Sequence, residues 1–196
     1  MAATARTRTR QSRERSRARI VEAATELVRE RSYAELNVGE VMERAGIGRT
    51  IFYRHFDDLA DLLLSAGREA IEELYAAQVE LAAARARHDE AEILRAIELP
   101  VDVYRRHGPI LRAVAEAASD ELVAPNQDEL RRRFDELVAE ALRAAGAELA
   151  DPDETARALN RMNENYLREA FGREARVDPE VAARTLSEIW TAVLNR

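Results

Sequence analysis

The chain of 196 residues contains no cysteine and no lysine. Without cysteine, disulfide frameworks, thiolate nucleophiles and cysteine-ligated metals are excluded, and the expected setting is cytoplasmic. Glycine (7) and proline (5) are sparse, so few strong breakers interrupt a sequence dominated by Ala, Leu, Arg and Glu, all good helix formers. No apolar run approaches the roughly 18 residues of a membrane helix, so no membrane partner is expected. The N-terminal arginines are not followed by an apolar stretch, which argues against a secretory signal. What is present is 46% hydrophobic and 34% charged, a globular balance.

Because lysine is absent, all 30 basic residues are arginine. The net charge of −7 conceals an asymmetry. Residues 1–60 hold twelve Arg against nine Asp and Glu, and the acidic excess lies in the remainder. Seven Arg fall within the first 19 residues, beside Glu14 alone. A basic head on an acidic body points to a head that meets a polyanion; a merely solvated tail is the alternative.

Apolar periodicity predicts an all-α fold of about nine helices. Residues 1–12 lack an apolar face and are expected to be a disordered Arg-rich arm. A first helix follows, with Ile20, Ala23, Ala24, Leu27 and Val28 on one stripe. Asn37 can cap a short second helix that Gly46 stops, and Arg49–His55 can form a third. Asp58 can cap a long helix carrying Leu59, Leu62, Leu63, Ala66, Ala70 and Leu74. The polar stretch Arg85–Asp89 reads as a loop. Pro100 should kink or split the next helix, and His107-Gly108-Pro109 reads as a break. Asp151-Pro152 and Asp178-Pro179 signal two further helix starts. The boundaries implied are an arm over 1–12, a helix-turn-helix domain over 13–60 and a second helical domain over 61–196.

The segment Asn37–Phe56, NVGEVMERAGIGRTIFYRHF, is the most informative. Two short helices joined by a glycine-containing turn make a helix-turn-helix, or an ordinary helical hairpin. Ala45 is small where the helices would cross, Gly46 can adopt positive φ, and Ile47 plugs the corner. Phe52 and Phe56 would face the core. That leaves Arg49, Thr50, Tyr53, Arg54 and His55 for a DNA groove, with Arg13, Arg17, Asn37 and Gly48 as further contacts. Arginine can bond guanine edges in a bidentate manner, and the other types reach phosphates or bases.

In the order Val38, Val41, Met42, Ala45, Gly46, Ile47, Gly48, then Phe52, Tyr53, Phe56, the segment resembles the N-terminal domain of the TetR family of bacterial repressors, over about residues 15–65. The resemblance implies a remaining domain that binds a ligand and dimerises through the last two helices. The family usually has Ser, Thr and Lys where this chain has Gly48, Ile51 and Leu59, so three phosphate contacts of the usual clamp are missing. The Arg arm is the expected replacement.

Asn163 falls on the apolar stripe of its helix, between Met162 and Tyr166, with Asn160 one turn earlier. A buried amide needs partners. It is either a core Asn satisfied by backbone or a dimer mate, or a polar handle in an apolar pocket. The stretch ALNRMNENYLREAF with EIWTAVLNR resembles the EthR branch of the family, the repressors of an ethionamide-activating monooxygenase. That likeness implies that Asn160 and Asn163 bond the polar end of a ligand, with Tyr104, Phe134, Met162 and Trp190 as apolar lining.

No catalytic constellation is evident. The three His are scattered, no metal spacing or glycine-rich phosphate loop occurs, and the carboxylates have Arg nearby. The expectation is no enzyme, no cofactor and no metal. The chain reads as a ligand-responsive regulator, a repressor that binds a palindromic double-stranded DNA operator as a homodimer and is released by a small hydrophobic effector. The alternative is a TetR-like protein with degenerate DNA binding, acting as a ligand-binding or interaction protein.

Overall fold

The computed structural model describes residues 2–87, 89–117 and 124–195, the side chains of 2–9 and 124–127 excepted. Within them the chain forms seven α-helices, α1 (Ala2–Glu30), α2 (Val38–Ala45), α3 (Leu59–Arg87), α4 (Glu90–Ala117), α5 (Ala124–Ala144), α6 (Pro152–Phe171) and α7 (Pro179–Leu194). Two 3-10 helices, Tyr33–Glu35 and Arg49–Arg54, complete the set, and no strand occurs among the described residues.

The helix starts follow from their caps. Asn37 Oδ1 accepts from the Glu40 N–H at 3.0 Å, Asp58 Oδ1 from Asp61 at 2.8 Å, Asp89 Oδ1 from Glu92 at 3.0 Å and Asp151 Oδ1 from Glu154 at 3.0 Å. Each satisfies an N–H group that the first turn leaves without a helical partner. Pro152 and Pro179 stand where a missing N–H costs nothing.

Four sequence expectations change. The arm expected to be disordered over 1–12 is helical from Ala2; nothing in that stretch breaks a helix, and it extends the register of a well-packed one. The expected loop at Arg85–Asp89 is mostly helix, since α3 runs to Arg87. The break expected at His107-Gly108-Pro109 is absent, because α4 passes through both Pro100 and Pro109. Interior proline costs about 3 kcal/mol, and burial of Val101, Val103, Tyr104, Ile110, Leu111 and Ala113 on either side offsets it. Gly108 serves proximity: a Cβ there would lie 2.0 Å from the Phe171 carbonyl oxygen. Finally, the third short helix is 3-10 rather than α. Gly48 at its N-cap has no side chain to hold the first turn.

α4 is the central element, packing against α3, α6, α7 and α1, while α5 lies on α3 and α6. The head formed by α1, α2 and Arg49–Arg54 is built around Ile20, Ala24, Val28, Val41, Met42, Phe52 and Phe56. These residues are continuous with the core of the body through to Leu194. No helix among the described residues is long and apolar enough to cross a membrane.

Candidate nucleic-acid interface and ligand cavity

In the head, Gly46 ends α2 at φ 62°, ψ 37°, the left-handed conformation that glycine adopts without strain. Arg19 of α1 donates to the Ala45 carbonyl at 2.6 Å, tying down the end of α2. Arg44 reaches Glu30 at 3.2 Å and Glu26 at 3.3 Å, and Arg31 reaches Glu40 at 2.6 Å, bracing α2 against α1. These pairs are solvated, so they orient the helices more than they stabilise them. Arg19 escaped the sequence reading because its partner is a backbone carbonyl.

Phe52 and Phe56 are buried as expected, with ring centroids 5.7 Å apart. They anchor Arg49–Arg54 from beneath. On its outer side Arg49, Thr50, Tyr53 and Arg54 are exposed, Tyr53 by 60%. An aromatic left that open, flanked by two guanidinium groups, suits a nucleic-acid groove better than a core. Ile51 and Leu59 are partly buried and pack against the core. Two of the three departures from the family pattern therefore contribute packing.

The remaining expected DNA contacts sit at the edge of this surface. Gly48 is exposed at the start of the segment, and a Cβ there would meet nothing within 4 Å. Asn37 is exposed, but its side-chain oxygen is committed to the cap of α2. Arg13 donates to the Arg54 carbonyl at 3.0 Å. Arg17 bonds Ser65 Oγ and lies over the Phe56 ring at 5.2 Å. Both arginines are exposed; Arg13 ties Arg49–Arg54 to α1, and Arg17 links α1 to α3. Partial burial, with Arg13, Arg17 and Arg54 nearby, pushes the His55 imidazole below the usual histidine range, favouring its neutral form.

In the body, α3, α4, α5 and α6 enclose a cavity of about 340 Å³. Leu64, Ile71, Leu74, Leu111, Val114 and Leu167 supply much of its wall. Of the six expected ligand residues, Tyr104, Phe134, Asn160 and Asn163 line it. Met162 and Trp190 do not. Met162 packs half-buried against the core, and Trp190 is fully buried beneath the Arg85 guanidinium, 3.2 Å from its ring centroid.

Asn160 Nδ2 donates to Asp135 Oδ1 at 2.8 Å, so its amide is partly spent on holding α6 to α5. Asn163 is buried and its Oδ1 has no hydrogen-bond partner. The same holds for Oε1 of Gln78, which lines the cavity from α3 and which the sequence reading missed. An apolar chamber with unsatisfied amide oxygens on two walls is the composition of a small-molecule site. The Arg131–Glu164 pair at 3.0 Å and Arg168 add charge to the lining. Burial raises the Tyr104 phenol above its usual range, so it stays protonated.

Residues 20–66 match the family model described as bacterial regulatory proteins, tetR family. The chain is also similar in fold to NalD, the secondary repressor of the MexAB-OprM multidrug efflux pump in Pseudomonas aeruginosa. That match has a TM-score of 0.70 and 18% identity, over 93% of this chain and 96% of that one. A TetR-family regulator from Syntrophomonas wolfei matches with a TM-score of 0.69 and 13% identity, over 93% and 96% of the two chains. The TetR-family regulator PfmR from Thermus thermophilus matches with a TM-score of 0.64 and 21% identity, over 90% and 99%. The helical head therefore carries the signature of the tetR family of bacterial regulatory proteins, on a body that shares the fold of solved TetR-family regulators.

Proposed function

We propose that the chain is a ligand-responsive transcriptional repressor, with a DNA-reading unit over 13–60 and a ligand-binding and dimerising unit over 61–196. The observation that carries this reading is the exposed quartet Arg49, Thr50, Tyr53 and Arg54, presented on a helix-turn-helix whose segment matches the tetR family model. Arg49 and Arg54 read base edges, while Thr50, Tyr53 and neutral His55 meet bases or phosphates. Arg13 and Arg17, with the backbone N–H groups near Asn37 and Gly48, supply phosphate contacts in place of the missing Ser, Thr and Lys.

A homodimer through α6 and α7 presents two reading heads to a palindromic operator. The cavity takes a small, largely hydrophobic effector whose polar group bonds Asn163. That arrangement is the one the EthR-like pattern of α6 implies, with Gln78 as a second polar wall. The effector favours a state whose heads no longer fit successive major grooves, and the operator is released. The work of such a protein lies in the cytoplasm, with the chromosome.

A mobility shift with the DNA upstream of its own gene, at two salt concentrations, tests the reading. Binding that weakens as salt rises is expected, and no shift at low salt refutes it. For the effector, hits from a thermal-shift panel of elongated apolar compounds should bind at least about tenfold more weakly to Asn163→Leu. Unchanged binding of every hit would dispose of the polar handle.

A further inference from the structure

Arg112, on α4, is buried at 6% exposure and donates to three separate parts of the chain. Its Nη2 reaches the carbonyls of Val28 at 2.6 Å and Arg31 at 2.9 Å, at the end of α1. Its Nε reaches the carbonyl of Gly172, the residue that closes α6, at 2.8 Å. Its Nη1 pairs with Glu116 Oε1 at 2.6 Å, and Glu116 Oε2 accepts from the Tyr33 N–H at 2.8 Å. Carbonyls at a helix C-terminus lack helical partners and carry partial negative charge, so a guanidinium fork binds them well.

The position of this fork relative to the cavity gives it a consequence. Leu111, Val114 and Ala115, on the same helix as Arg112, line the chamber. Asn163, Glu164, Leu167 and Arg168 line it from α6, the helix whose end Arg112 holds. There is no slack at that end. A Cβ on Gly108 would overlap the Phe171 carbonyl, and one on Gly172 would lie 3.2 Å from Arg112 Cδ. A displacement of α6 by an occupant therefore strains the bond to Gly172 or moves Arg112. Moving Arg112 shifts its hold on the last turn of α1 and, through Glu116, the hold on Tyr33 in the connection to α2. Close-packed joints of this kind switch between discrete arrangements rather than deforming smoothly.

We propose that the Arg112–Glu116 pair is the latch that couples occupancy of the cavity to the position of the DNA-reading head. Arg112 and Glu116 are positioning residues, touching neither DNA nor effector. The proposal rests on the ligand-responsive reading above.

The chain's lack of cysteine provides a test that needs no known effector. Leu130→Cys places a single thiol in the cavity wall, and hexyl methanethiosulfonate fills the chamber covalently, with loading verified by mass spectrometry. Operator affinity is measured before and after labelling, in Leu130→Cys alone and combined with Arg112→Lys or Glu116→Gln. Lysine keeps the charge but cannot span the carbonyls of α1 and α6. Glutamine keeps the shape and loses the charge, so it carries the test should Arg112→Lys fail to fold.

With the latch intact, labelling is expected to weaken operator binding about tenfold or more. In the latch variants the ratio should fall below about threefold while unlabelled affinity stays within about threefold. A residue of purely structural importance would lower stability and leave the ratio unchanged. An undiminished ratio in folded Arg112→Lys and Glu116→Gln overturns the latch. No effect of labelling with the latch intact overturns it together with the ligand response. No operator binding by the unlabelled protein overturns the DNA-binding reading itself, which separates the two failures.

Discussion

Two arginines are buried among the described residues, and they sit in opposite circumstances. Arg112, where α1, α4 and α6 meet, gives its nitrogens to three backbone carbonyls and a carboxylate. Arg85, between α3 and α7, is fully buried with Nε, Nη1 and Nη2 all lacking a hydrogen-bond partner, and it lies face-on to Trp190. Desolvation alone pushes its pKa well down. The contrast shows that burial by itself says little about what a charge contributes. At the first site the cation satisfies acceptors that would otherwise be stranded; at the second only a ring face receives it.

The comparison breaks most visibly at Arg112. Arg112→Met should cost about 3–5 kcal/mol of stability in denaturant unfolding, because it strands the carbonyls of Val28, Arg31 and Gly172 and removes the partly buried pair with Glu116. A cost below about 1 kcal/mol would mean that solvent already serves those groups. Arg85→Met should act in the opposite direction, adding about 2 kcal/mol, since replacing a poorly compensated buried ion with an apolar chain of similar length is commonly stabilising. A loss of stability would show that the ring face compensates the ion fully.

A finer version of the same question is a double-mutant cycle of Arg85→Met with Trp190→Leu. A coupling of about 1–2 kcal/mol is expected for a desolvated cation over an indole. Independence of the two changes would reduce the stacking to simple packing. The smallest effect concerns the reading segment, where the missing group is an acceptor rather than a donor. Gly48→Ser has open space for its side chain and should cap Arg49–Arg54, adding a few tenths of a kcal/mol. It should also tighten operator binding measurably in a salt-matched mobility shift. Unchanged affinity would mean that the arginines of α1 already fulfil this role.

The two arginines also mark where the sequence was readable and where it was not. The head was legible because its signals are local: Ala45 and Gly46 at the turn, Phe52 and Phe56 beneath the reading segment, Asp58 at the next cap. Asn163 was legible as an amide on an apolar stripe, and it does line the cavity. Arg85 was not, because a charge next to Arg87 and Asp89 looks solvated; only the fold shows that it is buried with Leu81 and Ala82, one turn before it on the same face. Arg112 was equally opaque, since its backbone acceptors lie 60 to 84 positions away. Gly108-Pro109 looked like a break because what glycine admits there, the backbone at Phe171, is distant in sequence. Met162 and Trp190 were assigned to the cavity by likeness, yet α6 turns Met162 toward another part of the core and Arg85 covers Trp190.

The closeness of Gly108 to Phe171 bears on how such a protein can diversify. Every other residue type brings at least a Cβ, and even alanine would overlap the Phe171 carbonyl, so no graded series of substitutions is open at that crossing. The chamber walls a turn or two away admit many side chains of intermediate size. Under the ligand response proposed above, selection for a new effector can therefore work on residues such as Leu64, Ile71 and Leu130, one methyl group at a time, while the Gly108 crossing is inherited unchanged.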